Sequence, residues 1–378
     1  MIQALLRSRW IYVFAGLLVV VFYVSSHWLK LPNDELEHHL ESSIPSATPF
    51  ERGPSTPPAV SSPKSPAPQA KAGEQGVEWW PQELDRAGFE RLATRHPRLA
   101  LLLSLLTFGA GVLGLAGLVI GVLGVWRGRL SSIWRFSSQS LPAWSFGDVG
   151  RLLVITLLVA ATLPLIYLMM GLSRESAGFD AHLRISVSML ILDLIVIGAI
   201  LLFAAGKGYA LGDLFGRDRR HVASAMTTGL RSYLVMFPWL FVILAVVVEV
   251  ARAVGWKMPV EPIQELVFQE SRPVVLGLTA LLACVVGPAA EELFFRGVVY
   301  TAIRRKTPRF VAMLISGVAF ALLHANPVGF LSIMLLGCLL AYLYERTGSL
   351  ASSLAVHILH NTLLMTTALV FRQAMSSM

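Results

Sequence analysis

Apolar residues fall along most of this chain in unbroken blocks, not in the alternating or three-to-four-residue rhythm of half-buried soluble elements. About 20 consecutive apolar residues are enough for a helix to cross a bilayer. Blocks of that kind run Trp10–Leu29, Leu99–Trp126, Leu152–Leu172, Ile185–Gly206, Leu234–Ala251, Val274–Ile303, Phe310–Ala325, Val328–Tyr344 and Leu350–Phe371. The pattern predicts nine helices, or eight if the first is removed as a signal peptide. No small-x-small cleavage site follows that first block, so it reads as an uncleaved anchor. The block at 310–325 is short for a span and fits a re-entrant segment. The expected fold is all-α: a polytopic membrane helix bundle of 8–9 helices. No internal repeat stands out, which speaks against an inverted-repeat transporter.

Composition agrees with the bilayer as solvent. Of 378 residues, 55 % are hydrophobic and only 14 % charged, whereas a soluble domain carries about 25 %. The two cysteines, Cys284 and Cys338, sit inside apolar runs, so a disulfide-stapled secreted domain is excluded. The net charge of +8 needs no nucleic acid to explain it. With the N-terminus in the cytoplasm, the basic clusters at Arg127, Arg129 and Arg135, at Lys207, Arg217, Arg219, Arg220 and Arg231, and at Arg304, Arg305, Lys306 and Arg309 all lie inside. That is the lysine and arginine bias expected of cytoplasmic loops. The expected location is a bacterial inner (plasma) membrane.

The chain then divides into four parts. Residues 1–30 form the anchor, 31–98 an extracytoplasmic linker, 99–273 accessory helices and 274–371 the segment richest in chemistry. Within the linker, residues 43–72 hold eight prolines among small and polar residues, a composition that builds no core. Trp79 and Trp80 then lead into a short amphipathic segment, read as an interfacial anchor or as plain linker.

An ionisable side chain in hydrocarbon costs at least a few kcal/mol, so each one is a candidate for function. The last four blocks concentrate them. Glu291, Glu292 and Arg296 lie in GPAAEELFFRG. Glu292 and Arg296 are four apart, on one helical face, and can pair. Glu291 points about 100° away and lacks a local partner, which suits a proton acceptor or donor. A structural charge network is the competing reading. His324 follows Phe320 by four residues in FALLHANP, so the ring of Phe320 can fix the imidazole. His357 and Asn361 are four apart in HILHN, with His360 on a neighbouring face as a bystander. Asp193 is read as a structural polar group outside the site. Pro164 and Pro238 are expected to kink their helices, and Pro288 to loosen the backbone ahead of Glu291.

Depth arithmetic tests whether these groups can meet. At 1.5 Å per residue, Glu291, His324, His357 and Asn361 lie about 18, 21, 10 and 17 Å from the inner ends of their helices. With an error of about one turn, or 5.4 Å, on each estimate, they share a layer near mid-membrane.

Glu291-Glu292-x-x-x-Arg296, Phe320-x-x-x-His324 and His357-x-x-x-Asn361, in this order on successive apolar segments, resemble the CPBP family. This is the CAAX-protease and bacteriocin-processing group of intramembrane endopeptidases. The resemblance covers about residues 274–371 and says nothing of the rest. It implies a helical fold with a polar cavity open to the cytoplasm, and hydrolysis of a peptide bond in a membrane-associated or lipid-linked substrate. Glu291 then looks like the general base that activates water, and His324 like its partner in positioning that water. His357 and Asn361 look like donors to the oxyanion, and Glu292 and Arg296 like supporting residues. No serine or HExxH motif offers a rival nucleophile or zinc site.

Two questions stay open at this level. Glu291, His324 and His357 make a possible two-histidine, one-carboxylate zinc set, but an amide beside His357 suits oxyanion donation better than ligation, so a metal-free site without cofactor is expected. The alternative functions are a non-catalytic membrane immunity or scaffold protein and a proton-coupled transporter. The transporter predicts polar groups spread across both leaflets, unlike the single layer found here.

Overall fold

The computed structural model describes residues 86–127, 135–137, 141–170, 181–216, 218–255 and 262–377. The expected N-terminal anchor, the proline-rich linker and the tryptophan pair lie outside them. Among the described residues the chain is helical throughout and has no strand. In chain order the helices are α1 (Arg86–Arg95), α2 (Pro97–Trp126), α3 (Phe146–Met169), α4 (Ala181–Gly206), α5 (Leu211–Phe215), α6 (Arg219–Ala253) and α7 (Pro262–Gln269). They continue as α8 (Pro273–Arg304), α9 (Arg309–Leu323), α10 (Phe330–Thr347) and α11 (Leu350–Ser376).

Seven of these are long and apolar enough to cross a membrane, and α9 is a shorter apolar helix. The protein is an integral membrane protein. Side chains such as Phe108, Leu115, Leu168 and Leu202 stand exposed on the bundle surface, the pattern of helices whose outer faces meet lipid. The predicted spans and the observed helices agree to within a few residues at most ends. The main departure is α6, which extends the predicted Leu234–Ala251 inward to Arg219. Asp218 caps it, accepting a hydrogen bond from the His221 N–H at 2.7 Å. Such a cap satisfies one of the otherwise unpaired first-turn donors.

Polar staples close the two ends of the bundle. At one end Ser145 and Asp148 form a reciprocal capping box at the start of α3, and Lys207 at the end of α4 pairs with Asp148 at 2.9 Å. At the same end Glu345 of α10 receives Arg304 at 3.1 Å and Arg309 at 3.5 Å. At the other end α1 buries Leu92 against Ala100 and Leu103 of α2 and Val370 and Ala374 of α11. Nearby, Glu270 accepts hydrogen bonds from Arg272, lies 3.1 Å from His182 at the start of α4, and its backbone carbonyl accepts from Arg372 of α11.

Arg272, helped by His182, holds the Glu270 carboxyl down to about 2, although burial opposes this. A carboxyl depressed in the folded state contributes stability that is complete above its unfolded value of about 4.3. That stability is lost as pH falls through the folded value. Thermal melting in detergent is therefore expected to show a drop between about pH 4.5 and 2 that Glu270→Gln lessens.

A close helix crossing joins α9 to α10. A Cβ on Gly317 would lie 2.5 Å from Cys338 Sγ and 2.8 Å from the Met334 carbonyl, and one on Gly337 would lie 2.9 Å from Gly317 Cα. Small residues at such crossings let backbones approach within a membrane, where packing rather than the hydrophobic effect joins helices. Gly337→Val is expected to cost about 1–3 kcal/mol by overpacking, read as a lowered midpoint in detergent melting.

Candidate functional site

Helix α8 carries the glutamates on an irregular backbone. It is α-helical at Pro273–Leu281, π-helical at Leu282–Val286, α-helical at Gly287–Glu291, π-helical at Glu292–Tyr300 and α-helical again to Arg304. Pro288 lies at the change of register. It removes one backbone donor and its ring crowds the preceding turn. Wide turns of this kind are frequent at functional sites. The expected loosening ahead of Glu291 is present, and it takes the form of π-turns on both sides of the glutamates.

The Glu292–Arg296 pair forms as the spacing predicts, with Arg296 Nη1 donating to Glu292 Oε1 at 2.8 Å. Both side chains are essentially sealed, at 1 % and 0 % exposure. Arg296 also donates through Nη2 to the Gly337 carbonyl of α10 at 3.1 Å, and its guanidinium lies 4.4 Å over the Phe320 ring. The close approach at Gly337 is what brings that carbonyl within reach.

Phe320 organises the centre. Its ring lies 4.5 Å from the His324 ring and 5.6 Å from the His357 ring, edge-on to the latter. Its backbone carbonyl accepts from His324 Nδ1 at 2.8 Å. Since a carbonyl only accepts, His324 carries a proton on Nδ1. The helix stops at this residue, which caps α9. Ala325 follows at φ 50° and the Asn326 side chain accepts from the Gly329 N–H at 2.7 Å. Helix α9 has 15 residues, about 22 Å of rise, short of the roughly 30 Å hydrocarbon core. His324 therefore sits at depth, beside a loop of the kind that membranes tolerate only where it is shielded or wetted.

His357 of α11 bridges the two glutamates. Its Nδ1 is 3.0 Å from Glu292 Oε1, and its Nε2 is 3.5 Å from Glu291 Oε2. The ring is 1 % exposed, so Glu292 fixes its tautomer and orientation as second-sphere carboxylates do for ligating or catalytic histidines. Glu291 differs from its neighbour. Its side chain is 36 % exposed, yet Oε2 is buried with no hydrogen-bond partner. It faces His357 across the helix interface, so its partner comes from another helix and not from its own.

Asn361 lies one turn beyond His357 and donates through Nδ2 to the Ala283 carbonyl at 2.8 Å, in the first π-turn of α8. The amide thereby ties α11 to the irregular backbone that precedes Glu291. His360 pairs instead with Tyr233 of α6 at 2.8 Å, which places it outside the cluster, as its helical phase predicts. Sequence reasoning missed the carbonyls of Gly337 and Ala283, because a backbone acceptor has no sequence signature. It also set aside Asp193, whose carboxyl lies within electrostatic range of Glu291.

Among the described residues no group of three or more His, Cys, Asp or Glu side chains is arranged to hold a metal ion. His357 already spends one nitrogen on Glu292 and turns the other to Glu291, while His324 is held by its own helix. No step below passes through a metal.

Inside the helical bundle the structure thus holds a sealed ion pair, a partly exposed carboxylate and two oriented imidazoles. Residues 273–363 match the family described as type II CAAX prenyl endopeptidase, Rce1-like. The membrane-peptidase candidate YdiL of Bacillus subtilis (strain 168) is 35 % identical over 85 residues. That match takes in 22 % of this chain and spans about a third (35 %) of the relative's length. No solved structure matches the chain.

Proposed function

We propose that this protein is an intramembrane endopeptidase that hydrolyses a peptide bond of a membrane-associated or lipid-linked substrate. The observation that carries the reading is His357 held between a sealed Glu292 and an open Glu291. Glu292 is neutralised by Arg296 and fixes the ring; Glu291 is left to do chemistry.

In this reading the Glu291 carboxylate accepts a proton from a water molecule as the water oxygen attacks the scissile carbonyl carbon. His324, held through Nδ1 by its own helix, holds that water from the α9 side. As the tetrahedral centre forms, its oxygen gains charge. Donors aimed at such an oxygen are worth about 2.7–4 kcal/mol each, and in this reading His357 and Asn361, one turn apart on α11, supply them. The C–N bond then breaks and Glu291 returns its proton to the leaving amine. A general base of this kind contributes about 10²–10⁴-fold. The site uses no metal in this account; activity that survives strong chelation in metal-free purified protein supports it, and stoichiometric zinc whose removal ends cleavage overturns it.

In this reading the protein lies in the plasma membrane with its N-terminus in the cytoplasm, which the basic cluster Arg304, Arg305, Lys306 and Arg309 supports through the lysine and arginine bias of cytoplasmic loops. The test is made in cells. Glu291→Ala and His324→Ala each abolish processing while the protein accumulates to normal levels. A scaffold function predicts that both variants keep the wild-type phenotype.

A further inference from the structure

A polar cavity of about 200 Å³ opens between the start of α6, the end of α10 and the loop at Arg135, at the end of the bundle that carries the Glu345 ion pairs. Arg135, His221, Ser224, Thr228, Arg346 and Thr347 line it, and no acidic side chain does among the described residues. Packing holds these groups in place. Phe136, next to Arg135, lies edge-on to Phe310 of α9 at 6.2 Å and to Tyr342 of α10 at 6.0 Å, and the Arg309 guanidinium lies 4.3 Å over its ring. Arg346 donates to the Tyr342 hydroxyl, one turn back on α10. The His221 ring is wedged against Gly216: a Cβ there would lie 2.6 Å from His221 Cδ2, and its φ of 112° suits glycine.

The wall is rich in donors. Thr228 and Thr347 give their hydroxyl protons to carbonyls of their own helices, which leaves the two guanidiniums, the Ser224 hydroxyl and the His221 imidazole to face a ligand. His221 Nε2 is buried and has no hydrogen-bond partner among the described residues. A buried polar atom is normally paired with protein, water or ligand. The cavity is larger than a single water, whose share of volume is about 30 Å³.

Two helices set its depth. Helix α6 has 35 residues, a rise of about 52 Å against about 30 Å of hydrocarbon. His221 and Thr228 precede its apolar stretch, which starts at Leu234, by about 20 and 9 Å. Arg346 follows the apolar stretch of α10, which ends at Tyr344. Both helices place the cavity at and beyond the edge of the hydrocarbon, where headgroup phosphates lie.

We infer that this cavity is a binding site for one phosphate-bearing anion, with Arg135 and Arg346 as its charge partners and Ser224 and His221 as orienting donors. Guanidinium forks match phosphate oxygens, and basic pockets between membrane helices take anionic lipid headgroups. The phosphate comes from a lipid of the adjoining leaflet or from a soluble molecule. The site is independent of the peptidase chemistry, and the leaflet is the cytoplasmic one in the orientation proposed above.

Native mass spectrometry of the purified full-length protein in neutral detergent tests this, with phosphatidylglycerol, phosphatidylcholine and inorganic phosphate as separate probes. One phosphatidylglycerol is expected to bind, about tenfold or more weakly in the Arg135→Gln, Arg346→Gln double variant, since each change removes a charge-assisted hydrogen bond. Arg86→Gln with Arg252→Gln takes as much charge from the opposite end of the bundle and is expected to leave the affinity unchanged. Arg346→Gln also breaks the Tyr342 contact, so melting of the unliganded variants checks their folding. Arg135→Gln alone, at an exposed loop position, carries the test where the double variant does not fold. Displacement of the lipid by inorganic phosphate supports the site and assigns it a soluble phosphate; retention of the lipid assigns it the headgroup. Equal affinity for phosphatidylcholine, equal losses in the two double variants, or undiminished binding after loss of Arg135 and Arg346 overturns the inference.

Discussion

Arg296→Met is expected to cost about 3–5 kcal/mol, the price of leaving one member of a buried ion pair unpaired. Glu292 is 1 % exposed and has no second cation to replace the guanidinium except the His357 ring it already orients. Loss on this scale is comparable to much of a domain's total stability, so most of the variant fails to accumulate. Glu292→Gln combined with Arg296→Met removes both charges and is expected to recover much of the folded protein, because apolar or neutral replacements of a buried pair are often close to neutral. The double variant does not recover activity, since His357 Nδ1 has lost the carboxylate that fixes its ring. Melting midpoint and processing are therefore expected to separate. If the two recover together, the pair serves stability alone.

The second large effect distinguishes two histidines three residues apart. His357→Gln is expected to lower processing by about 10²–10³-fold, with helix content and melting little changed. His360→Gln is expected to stay within a few-fold of wild type, because its imidazole is spent on Tyr233 of α6. Cleavage rates of the two variants in parallel check this. Equal losses would mean that α11 merely needs its polar face for packing.

How much of this was legible in the sequence follows from the physics of each feature. The spans were legible because a bilayer demands about 20 apolar residues and punishes charge. The buried ion pair was legible because a four-residue spacing fixes a face. The exclusion of His360 followed from helical phase. What the sequence did not disclose depends on backbone irregularity and on contacts between helices. The π-turns around Glu291 displace every later side chain of α8 from its ideal angle, so no helical projection predicts that Glu291 meets His357. Gly317 and Gly337 looked like ordinary glycines of membrane helices. Only their crossing reveals that they deliver a carbonyl to Arg296. Asp193 lies 98 residues before Glu291 and shares no motif with it, so their proximity is a property of helix packing.

The central claim is that Glu291 activates water against a peptide bond within the membrane. The most direct test compares the N-termini of membrane proteins in cells carrying the wild type with those in cells carrying Glu291→Gln at equal abundance. The account predicts at least one new N-terminus, adjacent to a membrane-embedded or lipid-linked segment, present with the wild type and absent with the variant. Identical sets of N-termini in the two strains, with both proteins folded in the membrane, would contradict it.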